Sequence, residues 1–145
     1  MRIHALLLTI SVLMMTAPAV AAEGKIPATM YKSPYCDCCE GHAAYLNKNG
    51  YDVTVAPTDD LPAMRKQHGV PESLEGCHMI LVGGYVVEGH VSAGAIDRLL
   101  RQKPKIVGIS LPGMPTGVPG MGGKKEGPLA VYEIGPGKPK IYATE

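Results

Sequence analysis

The chain has 145 residues, 46% of them hydrophobic, with 14 Lys and Arg against 13 Asp and Glu, and it contains neither Phe nor Trp. So balanced a charge gives no footing for binding nucleic acid or an anionic membrane by electrostatics. A core without Phe or Trp must be built from Val, Ile, Leu, Met, Ala and some of the seven Tyr, so a bound metal or a disulfide would add noticeably to stability.

Arg2 followed by an apolar run from Ala5 to Met15, broken only by Thr9 and Ser11, and then Ala19-Val20-Ala21, is the pattern of a secretory signal with its cleavage site. The run is too short for a stable bilayer span, and no later segment approaches one. The expectation is an exported chain: residues 1–21 are a signal peptide and residues 22–145 form a single domain. Loss of Arg2 leaves thirteen basic and thirteen acidic side chains in that domain.

Residues 28–31 read as a first strand, ended by the turn Ser33-Pro34-Tyr35. A helix is expected from Cys38 to Asn49, with Ala43, Ala44 and Leu46 among its apolar positions and Gly50 as its C-terminal cap. Residues 52–55 alternate as a second strand. A short helix follows, capped by Asp59 or Asp60, with Pro62 in its first turn and His68-Gly69 at its end. Met79 to Val82 and Tyr85 to Val87 form a hairpin across Gly83-Gly84. Ser92 caps a helix with Ile96, Leu99 and Leu100 on one face, closed by Pro104.

The order strand, helix, strand, helix, hairpin, helix predicts a right-handed first crossover between parallel strands. It points to an α/β, thioredoxin-like three-layer sandwich, with a C-x-x-C where the first strand meets the first helix. From Pro112 to Pro128 the chain is too rich in Gly and Pro for any regular element, and Leu129–Ile134 and Lys140–Ala143 read as two short terminal strands.

The cluster Cys36-Asp37-Cys38-Cys39 carries the most specific chemistry. Thiols at a helix N-terminus meet the positive end of the helix dipole, which favours the thiolate that soft metals bind and that attacks disulfides. A two-cysteine redox centre needs no third thiol, whereas C-x-C spacing lets sulfurs bridge neighbouring Cu(I) ions; Asp37 and Glu40 beside them suit a bound cation. In an oxidising compartment four cysteines also allow two structural disulfides. A bond between adjacent Cys38 and Cys39 would be strained, which leaves Cys77 paired with Cys38 or with Cys39, and Cys36 with the other.

On a glutaredoxin-like register His78 replaces the cis-proline that faces the redox cysteines, so Cys77 and His78 are expected beside Cys36 and Cys39. His90 lies at a loop–helix junction and is a candidate ligand, whereas His42 and His68 read as ordinary helical surface residues. Met114 and Met121 stand in a Gly-Pro loop with little core to fill, and thioethers favour Cu(I). Met30, Met64 and Met79, in regular elements, read as core.

These residues sit in motifs that resemble the CopG-like family of exported, thioredoxin-like copper-binding proteins. The shared motifs are Tyr31-Lys32-Ser33-Pro34-Tyr35-Cys36-Asp37-Cys38-Cys39, Gly76-Cys77-His78, the stretch from Gly83 to Val91, Pro112-Gly113-Met114-Pro115 and Pro119-Gly120-Met121. One departure is Gly41-His42-Ala43-Ala44-Tyr45, where the family often carries a Trp. The resemblance implies copper binding through the four cysteines with Met and His assistance, and a role in periplasmic copper homeostasis or resistance alongside other copper-handling proteins.

The expected ligand set is therefore Cys36, Cys38, Cys39, Cys77, Met114 and Met121, with one or both of His78 and His90. Four thiolates exceed the charge of one Cu(I), so more than one copper ion per chain is expected, with oxidation to disulfides releasing the metal. The alternative is a thiol–disulfide or copper oxidoreductase cycling Cys36 and Cys39. A third reading, a purely structural stapled domain, predicts no metal at all.

Overall fold

A computed structural model describes residues 24–145; the expected signal peptide and its cleavage site lie outside the described residues. The chain forms, in order, β1 (Ile26–Lys32), α1 (Asp37–Lys48), β2 (Tyr51–Pro57), α2 (Leu61–Gln67), a 3-10 turn (Glu72–Leu74), β3 (His78–Val82), β4 (Tyr85–Glu88), α3 (Ala93–Gln102), β5 (Gly108–Ser110), β6 (Ala130–Ile134) and β7 (Ile141–Thr144). The seven strands make one mixed sheet in the order β2-β1-β3-β4-β5-β6-β7.

The first crossover is parallel, as the strand–helix–strand order requires: β1 pairs with β2 from Ile26 opposite Tyr51 to Lys32 opposite Pro57. Strand β3 runs antiparallel to β1 and places His78 opposite Lys32, so the start of β3 lies beside the end of β1. Gly83 and Gly84, with φ of 56° and 84°, supply the two left-handed positions of the β3–β4 turn, which L side chains rarely adopt. Ser92 caps α3 through its side-chain oxygen, which accepts from the Ala95 N–H at 3.3 Å.

Strand alternation sorts the core onto the two sheet faces. Ala28, Met30, Ile80, Val82 and Val87 pack with Cys39, Ala43 and Leu46 of α1 and with Ile96 and Leu99 of α3. Met79, Val86 and Ile134 turn the other way and pack with Leu61 of α2 and with Val70 and Leu74. Met30 and Met79 are core as expected, and Met64 packs partly buried on the second cluster.

Strand β5 is the element the sequence does not announce. Gly108 looks like a breaker, yet a Cβ there would fall on the Val86 carbonyl, so glycine is what lets β5 approach β4 for parallel pairing. Residues 130–134 and 141–144 then pair antiparallel and extend the sheet from β5.

Candidate metal centre

The four cysteines converge. Cys36 is the N-cap residue of α1, Cys38 and Cys39 lie in its first turn, and Cys77 immediately precedes β3. Cys36 and Cys39 are joined by a disulfide, while Cys38 and Cys77 are free. Cys77 Sγ lies 3.0 Å from Cys36 Sγ, 3.3 Å from Cys38 Sγ and 3.4 Å from Cys39 Sγ. Of the two pairings left open by the sequence, the observed bond leaves Cys38 to face Cys77. Cys39 is buried, and the other three are half-buried along a depression of about 530 Å³ that is also lined by Tyr35, Gly76 and Met114.

Three imidazoles lie behind the sulfurs. His42, His78 and His90 are each fully buried, with ring centroids 4.7–5.0 Å apart. Their hydrogen bonds fix which nitrogen carries the proton. The Val91 carbonyl can only accept, so His42 Nε2 donates to it at 2.9 Å. Burial, with His90 beside it, lowers the pKa of His42 to about 4, so the ring is neutral and its Nδ1 is an acceptor. His78 Nε2 therefore donates to His42 Nδ1 at 2.7 Å. His90 Nδ1 donates to the Pro119 carbonyl at 2.7 Å.

The two nitrogens left over, His78 Nδ1 and His90 Nε2, are buried and have no partner. Burial also lowers the pKa of both rings, well below the usual range for His78, so each leftover nitrogen presents a lone pair. Buried polar atoms without partners are rare in folded proteins, and a bound ion is one of the groups that would satisfy them. Cys77, His78 and His90 offer ligand atoms within 4.8 Å of one another, as do the four cysteines, so Cys77 belongs to both groups. Sulfur and neutral imidazole suit a soft or borderline cation, and these donors fit a metal ion.

Charged residues hold this geometry. Arg65, buried on α2, donates from Nε and Nη2 to the buried Glu88 carboxylate at 3.1–3.2 Å. The pair clamps the peptide before Cys77: Arg65 Nη2 donates to the Gly76 carbonyl at 2.7 Å, and the Gly76 N–H donates to Glu88 Oε2 at 3.0 Å. A Cβ on Gly76 would fall 2.5 Å from the Gly89 backbone, so glycine is needed to bring Cys77 and His78 against His90. On the other side of the cluster the buried Lys32 ammonium donates to the carbonyls of Ser33 and Cys36 at 3.3 and 3.2 Å and pairs with Glu40 at 3.1 Å. Glu40 therefore serves Lys32, while Asp37 remains exposed beside the depression.

Burial, followed by the neighbouring Cys38 thiol, pushes the Cys77 thiol up to about 12, against the opposing pull of Arg65 and Lys32. A thiol held that high is a poor attacking group at neutral pH.

The family described as "Protein of unknown function, DUF411" matches residues 74–121, which run from the 3-10 turn through Cys77, His78 and His90 to Met121. No curated protein sequence matches the chain. Two solved structures of a copper resistance protein, CopG, in forms 1 and 2, superpose with a TM-score of 0.77 at 32% identity, covering 83% of this chain and 98% of that one. The chain belongs to the CopG-like family.

Within this CopG-like chain the expected residues divide by position. Cys36, Cys38, Cys39 and Cys77 come together, His78 and His90 join them through Cys77, and Met114 lines the sulfur-side depression at 63% exposure. Met121 is half-buried and packs on the main core, where its N–H donates to the Val118 carbonyl. The loop that carries it has no regular strand or helix but is seated on α1: a Cβ on Gly120 would meet the His42 backbone nitrogen within 2.3 Å.

The reading of His42 as a surface residue is corrected: it is fully buried. The inward face of α1 is Cys39, His42, Ala43 and Leu46, at the i, i+3, i+4, i+7 spacing of a buried stripe. Position rather than polarity was the available signal. His68, at the C-cap of α2, is half-exposed as expected. No local motif marks Arg65, Glu88 or Lys32 as part of the site; for Arg65 the signal is its i+4 spacing from buried Leu61.

Proposed function

We propose that this chain is an exported, periplasmic Cu(I)-binding protein of copper homeostasis or resistance. Its ligands are Cys36, Cys38, Cys39 and Cys77 in their reduced state, with His78, His90 and Met114 and with Met121 as a further thioether. The observation that carries the reading is the pair of buried, unpartnered ring nitrogens on His78 and His90, two residues that each offer a ligand atom within 4.8 Å of Cys77 Sγ. The copper resistance protein to which the chain is similar favours copper over zinc, and so does an exposed thioether at the rim of the depression. A thioredoxin-type arrangement is supported by the β2-β1-β3-β4 order and by helices packed on both sheet faces.

Two donor groups that share Cys77 support more than one copper per chain, the thiolates bridging neighbouring ions. The Cys36–Cys39 disulfide is the form in which two of the ligands are withdrawn, which supports redox gating of uptake and release. The test is to reduce the protein without oxygen, titrate Cu(I) against a coloured Cu(I) chelator, and count thiols before and after. Retention of two or more copper ions with all four thiols protected is expected. No retained copper with four free thiols would refute the reading.

A second reading is favoured by that same disulfide: a thiol–disulfide or copper oxidoreductase that cycles Cys36 and Cys39. The high pKa of Cys77 weighs against its acting as an attacking thiol in such a cycle. Rapid reduction of a test disulfide by the reduced protein, unaffected by Cys38→Ser, would establish this second activity.

A further inference from the structure

We infer that His42 is a positioning residue that selects the tautomer of His78 and so aims His78 Nδ1 at the bound ion. The inference rests on the copper-site reading and adds a residue to it that binds no metal itself. Both ring nitrogens of His42 are already engaged, Nε2 with the Val91 carbonyl at 2.9 Å and Nδ1 with His78 Nε2 at 2.7 Å. Neither is left to ligate.

The polarity of the chain of bonds runs one way. The Val91 carbonyl accepts, His42 passes the direction on, and His78 must place its proton on Nε2. The opposite tautomer of His78 would set two lone pairs against each other at 2.7 Å in a buried place. It would also put a proton on Nδ1, the atom that needs to be free. Metal-bound histidines commonly donate their second N–H to such a partner, and removing the partner typically lowers metal affinity 10- to 100-fold.

His90 is set differently. Its Nδ1 donates to the Pro119 main-chain carbonyl, which no substitution of a side chain removes. The two imidazoles are thus aimed by separate devices, and a change at His42 falls on His78 while leaving the His90 hydrogen bond in place.

The test compares three variants with the wild type for Cu(I) affinity, by chelator competition, and for copper–nitrogen coordination, by X-ray absorption. In His42→Asn the amide oxygen stands where Nδ1 stood and still accepts from His78. In His42→Gln the amide, one carbon further out, turns its NH2 toward Val91 and its oxygen no longer stands at the Nδ1 position, and His42→Leu removes both functions. The expected result is a 10- to 100-fold loss of affinity and a lower nitrogen count in His42→Gln and His42→Leu, with His42→Asn close to wild type. Wild-type affinity and nitrogen count in a folded His42→Leu protein would overturn the inference. If His42→Leu does not fold, equal affinities for His42→Asn and His42→Gln would overturn it. A wild-type protein that takes up no copper would instead refute the function on which the inference rests.

Discussion

Arg65 and Glu88 form a buried two-point ion pair whose guanidinium and carboxylate also hold the Gly76 carbonyl and the Gly76 N–H, on the two peptide groups directly before Cys77. Removing Arg65 leaves the fully buried Glu88 carboxylate without its cation, which typically costs about 3–5 kcal/mol. Removing Glu88 leaves Arg65 still paired with Glu75 Oε2 at 3.4 Å. Arg65→Met is therefore expected to lower stability by about that amount in chemical denaturation, and Glu88→Ala by less. The double variant Arg65→Met with Glu88→Leu should recover only part of the loss, because the Gly76 N–H and carbonyl would still lack partners. Full recovery would mean that the clamp on Gly76 contributes nothing.

Cys77 belongs to both donor groups, whereas Cys38 belongs only to the sulfur group. Cys77→Ser is expected to abolish most copper retention, and Cys38→Ser to reduce it partially. Copper-to-protein ratios measured after desalting under anaerobic conditions check the order. Because the Cys77 thiol is protonated at neutral pH, loading at this position should also release a proton into weakly buffered solution.

Acid should destabilise the metal-free protein in a defined window. Unfolded, an imidazole binds its proton near pH 6.5; folded, His42 does so only near pH 4, and His78 and His90 are also lowered. Between those values the unfolded state holds more protons. Stability is thus complete above about pH 6.5 and falls as pH drops toward 4, by about 1.4 kcal/mol per pH unit for His42, with His78 and His90 adding in the same direction. Glu88, whose proton affinity burial raises, opposes this with one proton at most. Denaturant midpoints measured from pH 7.5 to 4 should fall steadily, and a flat profile would contradict neutral buried imidazoles.

Gly120 has a φ of 83° and lies against the α1 backbone at His42. Gly120→Ala combines backbone strain with a steric clash and is expected to cost about 1–3 kcal/mol. It should lift the Pro119 carbonyl from His90, so amide exchange should rise along residues 117–122 and the His90 ring should become reactive to acylating reagents. Met114→Ala provides the contrast: with 63% of the residue exposed, its thermal midpoint should stay within about 2 °C of wild type, corresponding to a surface change of no more than ~0.5 kcal/mol, while Cu(I) affinity falls.

Much of this organisation is legible in the chain because local rules agree. Gly83-Gly84 can scarcely be anything but a tight turn, Ser92 meets the needs of a helix start, and Cys36 to Cys39 must lie at the first turn of α1 once Ser33-Pro34 ends β1. Cys77 comes toward the cluster only on the glutaredoxin-like register that sets His78 against the C-x-x-C. Other features depend on contacts that no local pattern encodes. Gly108 reads as a break until Val86 is known to be its neighbour, and His42 reads as solvated until α1 is seen to turn it inward. The Lys32, Arg65 and Glu88 charges are invisible as scaffold because burial of a charge is settled by partners far apart in sequence.

The half-exposed sulfurs and the sealed imidazoles give the centre a direction. Met114, Cys36 and Cys38 line the open depression, His78 and His90 are buried, and Cys77 is the residue the two donor groups share. For copper held here, exchange is then a queue rather than a pool: the outer ion trades readily with a donor or a chelator, and the inner one waits behind it. Removal by excess chelator should run in two phases, and the slow phase belongs to the nitrogen end.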